Sequence, residues 1–492
     1  MKKNILGLMM GFMFTFCLIA CGNDPKADSN SNTSGDNGGT QGQTEEKPVD
    51  KSFVTPEIIG DLDPSTAEAN KVHFNDSMKI NGPFAEDAFP SIGTPKMLVI
   101  PVNLDNSKKT DQTLNDIKLA FSGTAEQTGW ESVKSYYYKS SYERLSIDCV
   151  FTDWFTPSND ASYYETYSDD DGHDGSMMLV KEALNFFDND YDYTEFDYDE
   201  DDYIDNVWLI YNYAVDYENA DFWWAYQDKT YLDDEWDNIK SSRYGFAGID
   251  FMYEGTDVGI SVDAHTYIHE TGHIMGLEDY YDYDEKVGPN NRGLFGGDMM
   301  DQTIGDHSSF NKLSLGWVDP TVVTGNGKIE LTLKSFTTTG EFLMLANHEL
   351  DTIWDEYFLI EFYTNDGLNK KDQPVYDESG EVFGIRVLHV DARICYDLEG
   401  NVIENGDESY VGTGFVNDNS GTNKPLIEML RADYDSNMDE NLYAKSLYSE
   451  TSETFGKDVW STFILNDGTK LFFTLTVKKI ENNQCVVEIN LK

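Results

Sequence analysis

The stretch "HETGHIMGLED", His269 to Asp279, constrains the fold of this chain more than any other. Two histidines four residues apart lie one turn apart on the same face of an α-helix. His269 and His273 can therefore both aim a ring nitrogen at one ion about 2 Å away. Glu270 leans toward the same face but is cramped as a third ligand; it is better placed to take a proton from a water held there. For a third ligand to arrive, the helix must stop and the chain must turn back. Gly276 allows the left-handed conformation that such a stop uses. The carboxylates on offer beyond it are Glu278, Asp279, Asp282 and Asp298. His265 lies about 12 Å from His273 along the helix axis, so it does not share that ion and is expected to pack or to make a supporting hydrogen bond.

The chain opens with "MKKNILGLMMGFMFTFCLIAC", two lysines followed by an apolar run of signal-peptide length. Its end, "LIAC", resembles the lipobox of bacterial lipoproteins, which implies cleavage after residue 20 and a lipid on Cys21. The run is short for a transmembrane span. Residues 21–53, rich in Gly, Ser and Asn, read as a disordered tether with a reach of roughly 30 Å. Residues 54–94 read either as a lead into the fold or as a pro-segment. A formal net charge of −55 argues against nucleic acid and anionic lipid surfaces as partners. Aromatics at 14% of the chain, 30 of them tyrosine, require that the rest fold.

Residues 95–318 mix helical and strand patterns. "KMLVIPVNL" reads as a buried strand, "WESVKSYYYKSS" and "SMMLVKEALNFF" as helices, and "RLSIDCVF" and "VWLIYNYAV" as strands. Residues 319–492 change character. "KIELTLK" alternates strictly, and "EYFLIEFY", "FGIRVLHV", "LFFTLTV" and "CVVEINL" are short β-type runs, which predicts a β-rich C-terminal domain, a sandwich in outline. Cys149 falls on the apolar side of its strand, and Cys395 and Cys485 are the cysteines left to pair in an oxidising compartment.

"HETGHIMGLEDYYD", "GLFGGDMMD" and "SSFNKLSLGW" together resemble the immune inhibitor A family of secreted bacterial zinc metallopeptidases. The likeness runs from "KMLVIPVNL" to "RVLHVD", roughly residues 95–394. It implies an α+β, metzincin-like catalytic domain with the pattern H-E-x-x-H-x-x-G-x-x-D. By that pattern His269, His273 and Asp279 bind zinc, Glu270 is the general base, and Met300 forms a methionine turn beneath the metal. Glu278 departs from the family, which often has proline there.

In "FDYDEDDYID", Asp197, Asp199, Asp201 and Asp205 stand at relative positions 1, 3, 5 and 9, a spacing whose oxygens can wrap a hard cation. The resemblance implies calcium, although family loops usually carry glycine where this one has Glu200 and Asp202. These features predict a lipid-anchored, extracytoplasmic zinc endopeptidase acting on proteins or peptides. The alternative is a non-catalytic surface binding protein that keeps a peptidase-like scaffold; an altered glutamate or ligand would favour it, and none is altered.

Overall fold

Met97 to Val102 leaves no side chain for solvent, and in the computed structural model this run is β2 (Lys96–Val102), buried throughout after Lys96. A strand with no wet face has to lie inside a sheet covered on both sides. It lies between β3 (Asp148–Phe151) and β5 (Val207–Tyr211), parallel to both. Beyond β5 come the parallel β8 (Arg243–Gly248) and, antiparallel at the edge, β6 (Tyr226–Lys229). A minor parallel pair joins β4 (Tyr203–Ile204) to β7 (Lys240–Ser241). The structure describes residues 66–74, 88–167, 174–215, 222–230, 232–281, 293–301, 304–371, 382–394, 419, 424–434 and 444–492. The apolar N-terminal run, Cys21, the tether, most of 54–94, Asp282 and Cys395 lie outside them. No helix among the described residues is long and apolar enough to cross a membrane.

Helices cover the five-stranded sheet. Thr110 caps α1 (Asp111–Ser122), its side chain accepting from the Thr113 N–H, and a Ser132–Ser135 capping box starts α2 (Val133–Ser140). Then follow α3 (Ala161–Tyr167), α4 (Asp174–Phe187) and α5 (His265–Ile274), the last packed against α2, β6 and β8. The strand expected over 207–215 stops at Tyr211. There the Asn212 side chain takes the N–H groups of Leu104 and Asp105, at 2.7 and 2.8 Å, in place of a continuing ladder.

After α6 (Ser309–Ser314) most of the regular elements among the described residues are strands. A six-stranded sheet runs β1 (Glu68–Lys71), β9 (Thr321–Thr324), β11 (Phe342–Leu345), β12 (Glu356–Thr364), β13 (Phe383–Asp391) and β14 (Ile427–Met429). A three-stranded antiparallel sheet is formed by β10 (Gly327–Lys334), β16 (Gln484–Leu491) and β15 (Phe473–Glu481). The fold is thus mixed α/β with several sheets. Alternation along β12 sends Tyr357, Leu359 and Tyr363 into the core shared with the helices. Phe358, Ile360 and Phe362 enter a second core between the two C-terminal sheets, where Cys485 is also buried. Cys149 lies on β3 with its thiol near the Phe121 carbonyl, and burial pushes that thiol up to about 12.

Residues 68–71 and 88–91, before the first strand of the five-stranded sheet, are built into this scaffold. Residues 68–71 pair with 321–324, and Trp317 donates its indole N–H to the Ser91 carbonyl at 2.8 Å. Phe89 is fully buried, and its N–H meets the Ile274 carbonyl at the end of α5, 3.1 Å away. Phe89→Ala should therefore cost about 3–5 kcal/mol of stability, measured as a shifted denaturant midpoint at constant slope. An unchanged midpoint would mean that residues 88–91 are not part of the folded unit.

Candidate metal centre

Helix α5 is fixed at both ends by side chains and turns that its own sequence supplies. At its start, Asp263 Oδ1 accepts the His265 N–H and faces the His265 Nδ1, both at 3.0 Å. Burial opposes a charge on that ring, but Asp263 outweighs it and holds His265 up at about 9. His265 is thus spent on the helix start, as its axial distance from His273 predicts. At the other end Gly276 takes φ +91°. Its N–H bonds the His273 carbonyl at 2.8 Å, while the Leu277 N–H reaches back to Gly272 at 3.0 Å. This is a Schellman stop, and it reverses the chain toward the helix face it has just left.

That reversal brings His269, His273 and Asp279 together, with one candidate ligand atom from each lying within 4.8 Å of the others. Asp279 Oδ1 is 3.0 Å from His269 Nε2 and 3.3 Å from His273 Nε2, and the two ring nitrogens are 3.1 Å apart. Ligands of a tetrahedral zinc ion at about 2.0–2.1 Å stand about 3.3 Å from one another, so this triangle fits one face of such a site. The opposite nitrogens are committed elsewhere. His269 Nδ1 faces the Met299 carbonyl at 2.8 Å and His273 Nδ1 the Leu277 carbonyl at 2.7 Å. A carbonyl only accepts, so both Nδ1 atoms carry the proton, and in the neutral rings both Nε2 lone pairs face the cluster. Neither carbonyl has a side-chain signature, and sequence reasoning could not have named them.

Burial opposes charge on His273, but the Asp279 carboxylate beside it prevails and pushes it up to about 10. His269 is raised by the same balance, and Asp279, though buried, is held well below the usual carboxylate range by the two rings. Glu270 is 5% exposed, and its Oε2 has no hydrogen-bond partner among the described residues. Burial raises its pKa, against the pull of His269 and His273. An unpartnered buried carboxylate oxygen is costly, and it is the arrangement expected of a group kept ready for a proton.

Met300 is fully buried beneath the helix, and a Cβ on Gly272 would come within 2.5 Å of its sulfur. Glycine at that position lets the methionine approach. Asp298 faces another way, accepting from Met300 N at 2.7 Å, Asn311 Nδ2 at 2.9 Å and Ser308 N at 2.5 Å. Neither Asp298 nor the half-buried Glu278 joins the cluster.

In the acidic loop Asp197, Asp199 and Asp205 converge within the same 4.8 Å limit, while Asp201 stays outside the group and accepts the Tyr203 N–H at 2.9 Å. Burial, opposed by the Tyr198 N–H but reinforced by Asp199, Asp201 and Asp197, pushes Asp205 up to about 8. Glu200 and Asp202 take φ +62° and +69°, the left-handed region, at the two positions where the sequence lacks glycine. The tight turn forms without them, at the cost of backbone strain.

Among known families, residues 107–207 match the model of the immune inhibitor A peptidase M6 catalytic domain. The matched stretch ends well before His269, so it and the metal-site geometry are separate lines of support. No curated protein matches the chain.

Glycine at position 200 or 202 should relieve the left-handed strain. Glu200→Gly and Asp202→Gly are each expected to raise stability by up to about 1 kcal/mol, less the entropy that glycine loses on folding. Thermal melting of each variant checks this, and a lower melting temperature in both would show that the loop is unstrained.

Proposed function

We propose that this member of the immune inhibitor A-like peptidase family is a zinc endopeptidase with a metzincin-like catalytic fold, which hydrolyses proteins or peptides outside the cytoplasm. The observation that carries the reading is the triangle of His269, His273 and Asp279 with both histidine Nδ1–H groups turned away from it. In this proposal those three residues would hold the ion. Zinc bound there would supply Lewis acidity toward a peptide carbonyl and would lower the pKa of water to near 7. Glu270 takes the proton from the attacking water and returns it to the leaving amine. Met300 supports the helix from below, as the family resemblance implies for a methionine turn.

A non-catalytic scaffold would gain nothing from keeping the Glu270 oxygen buried and unpartnered. Calcium at Asp197, Asp199 and Asp205 would offset the burial that chiefly raises Asp205 and the carboxylate repulsion that adds to it, and we include it in the proposal on that ground. The "LIAC" sequence adds a lipid at Cys21, which would tether the enzyme to a membrane.

Two variants separate the roles. Glu270→Ala should keep its zinc and lose about 10²–10⁴-fold in turnover. Asp279→Ala should lose zinc, because two protein ligands make a poor site. Zinc content measured beside casein cleavage decides between them. A Glu270→Ala protein that still digests casein would sink the mechanism, and an Asp279→Ala protein with full zinc would move the third ligand elsewhere. For the anchor, the protein expressed with its leader should partition with membranes and Cys21→Ser should not; equal solubility of the two removes the lipid.

A further inference from the structure

We propose that Tyr280 is a positioning residue for Asp279, and that the six-stranded C-terminal sheet completes the metal centre by holding Tyr280 through Asn419. The inference rests on Asp279 being a metal ligand. Past Leu277 the chain has left the helix, and no ladder fixes where the Asp279 carboxylate comes to rest. The residue that follows it is instead gripped at every polar group. The Tyr280 N–H donates to the Met300 carbonyl at 2.9 Å. Its carbonyl accepts from Asn419 Nδ2 at 2.8 Å. Its hydroxyl donates to Asn311 Oδ1.

These three partners are themselves held. Asn311 Nδ2 and the Met300 N–H both donate to Asp298 Oδ1, so one buried carboxylate sets the tyrosine ring and the methionine segment together. Asn419 has only one amide orientation open to it, because the Ile427 N–H requires its Oδ1, at 3.0 Å, and the Ile427 carbonyl its Nδ2, at 2.8 Å. Ile427 begins β14, the edge of the six-stranded sheet. That sheet also touches, at two points, the 293–301 segment that carries Met300. Met429 N donates to the Gly293 carbonyl at 3.0 Å, and the Arg386 guanidinium donates to the Gly297 carbonyl. A single planar peptide links Tyr280 to Asp279, so a tyrosine backbone free to move carries the carboxylate with it.

The test uses the full chain, stripped of metal and titrated with Co²⁺, whose visible spectrum reports ligand number and geometry, and with Zn²⁺ against a chromophoric chelator. Asn419→Ala and Tyr280→Phe should each weaken Zn²⁺ binding about 10-fold, the low end of what losing a group behind a ligand costs, and each should alter the cobalt spectrum. Tyr448→Phe, which removes a hydroxyl bonded to Asp458 at the second core, serves as the control and should leave metal affinity and spectrum as they were. Wild-type affinity and spectrum in Tyr280→Phe, or in a folded Asn419→Ala, would overturn the proposal. So would a control that shifts them equally. Asp279→Ala is run in parallel. Unchanged affinity there refutes the ligand assignment itself, whereas weakened affinity there with unchanged Asn419→Ala and Tyr280→Phe refutes only the positioning role.

Discussion

An imidazole presents one lone pair toward a cation only if its other nitrogen keeps the proton, and that condition organises the site. The Met299 carbonyl imposes it on His269 and the Leu277 carbonyl imposes it on His273. One carbonyl belongs to the loop that returns beneath the helix and the other to the turn that ends it. The site therefore exists only when helix stop, loop and helix are assembled together. Local helix formation alone would leave both rings free to choose the wrong tautomer.

The same assembly explains the electrostatics. His269, His273, Glu270 and Asp279 share a volume with little access to water, so each charge depends on its neighbours. Protons and a divalent cation compete for the two Nε2 atoms, and a ring held up at about 10 gives its proton to solvent reluctantly. The peptidase family match and this donor set point to the same class of chemistry from different parts of the chain.

Much of this was legible in the sequence because it depends on short spacings. The four-residue interval of the histidines, the stop at Gly276 and the return to Asp279 are local, and the fold brings the three side chains within 4.8 Å of one another. The β-type runs after Trp317 were readable for the same reason, since period-2 alternation is visible in "KIELTLK". What the sequence hid was of two kinds. Backbone carbonyls such as Met299 have no residue code. Long-range partners such as Asn419, 139 positions from Tyr280, leave no local pattern. The acidic loop shows a third limit. Spacing grouped four aspartates, but the turn drawn through Glu200 and Asp202 brings three together and leaves Asp201 to the Tyr203 N–H.

Strand β12 is buried along its whole length, with one face in each of the two cores. It cannot be lost from one without stripping the other, so the helical part and the C-terminal sheets are bound to unfold as a single cooperative unit. A recombination event that cut the gene near residue 319 would not yield a movable module. It would produce one fragment with the apolar face of β12 uncovered, and another exposing the residues that had shared its core, Phe310 and Trp317 among them. The heritable block in this architecture is the peptidase together with its sheets.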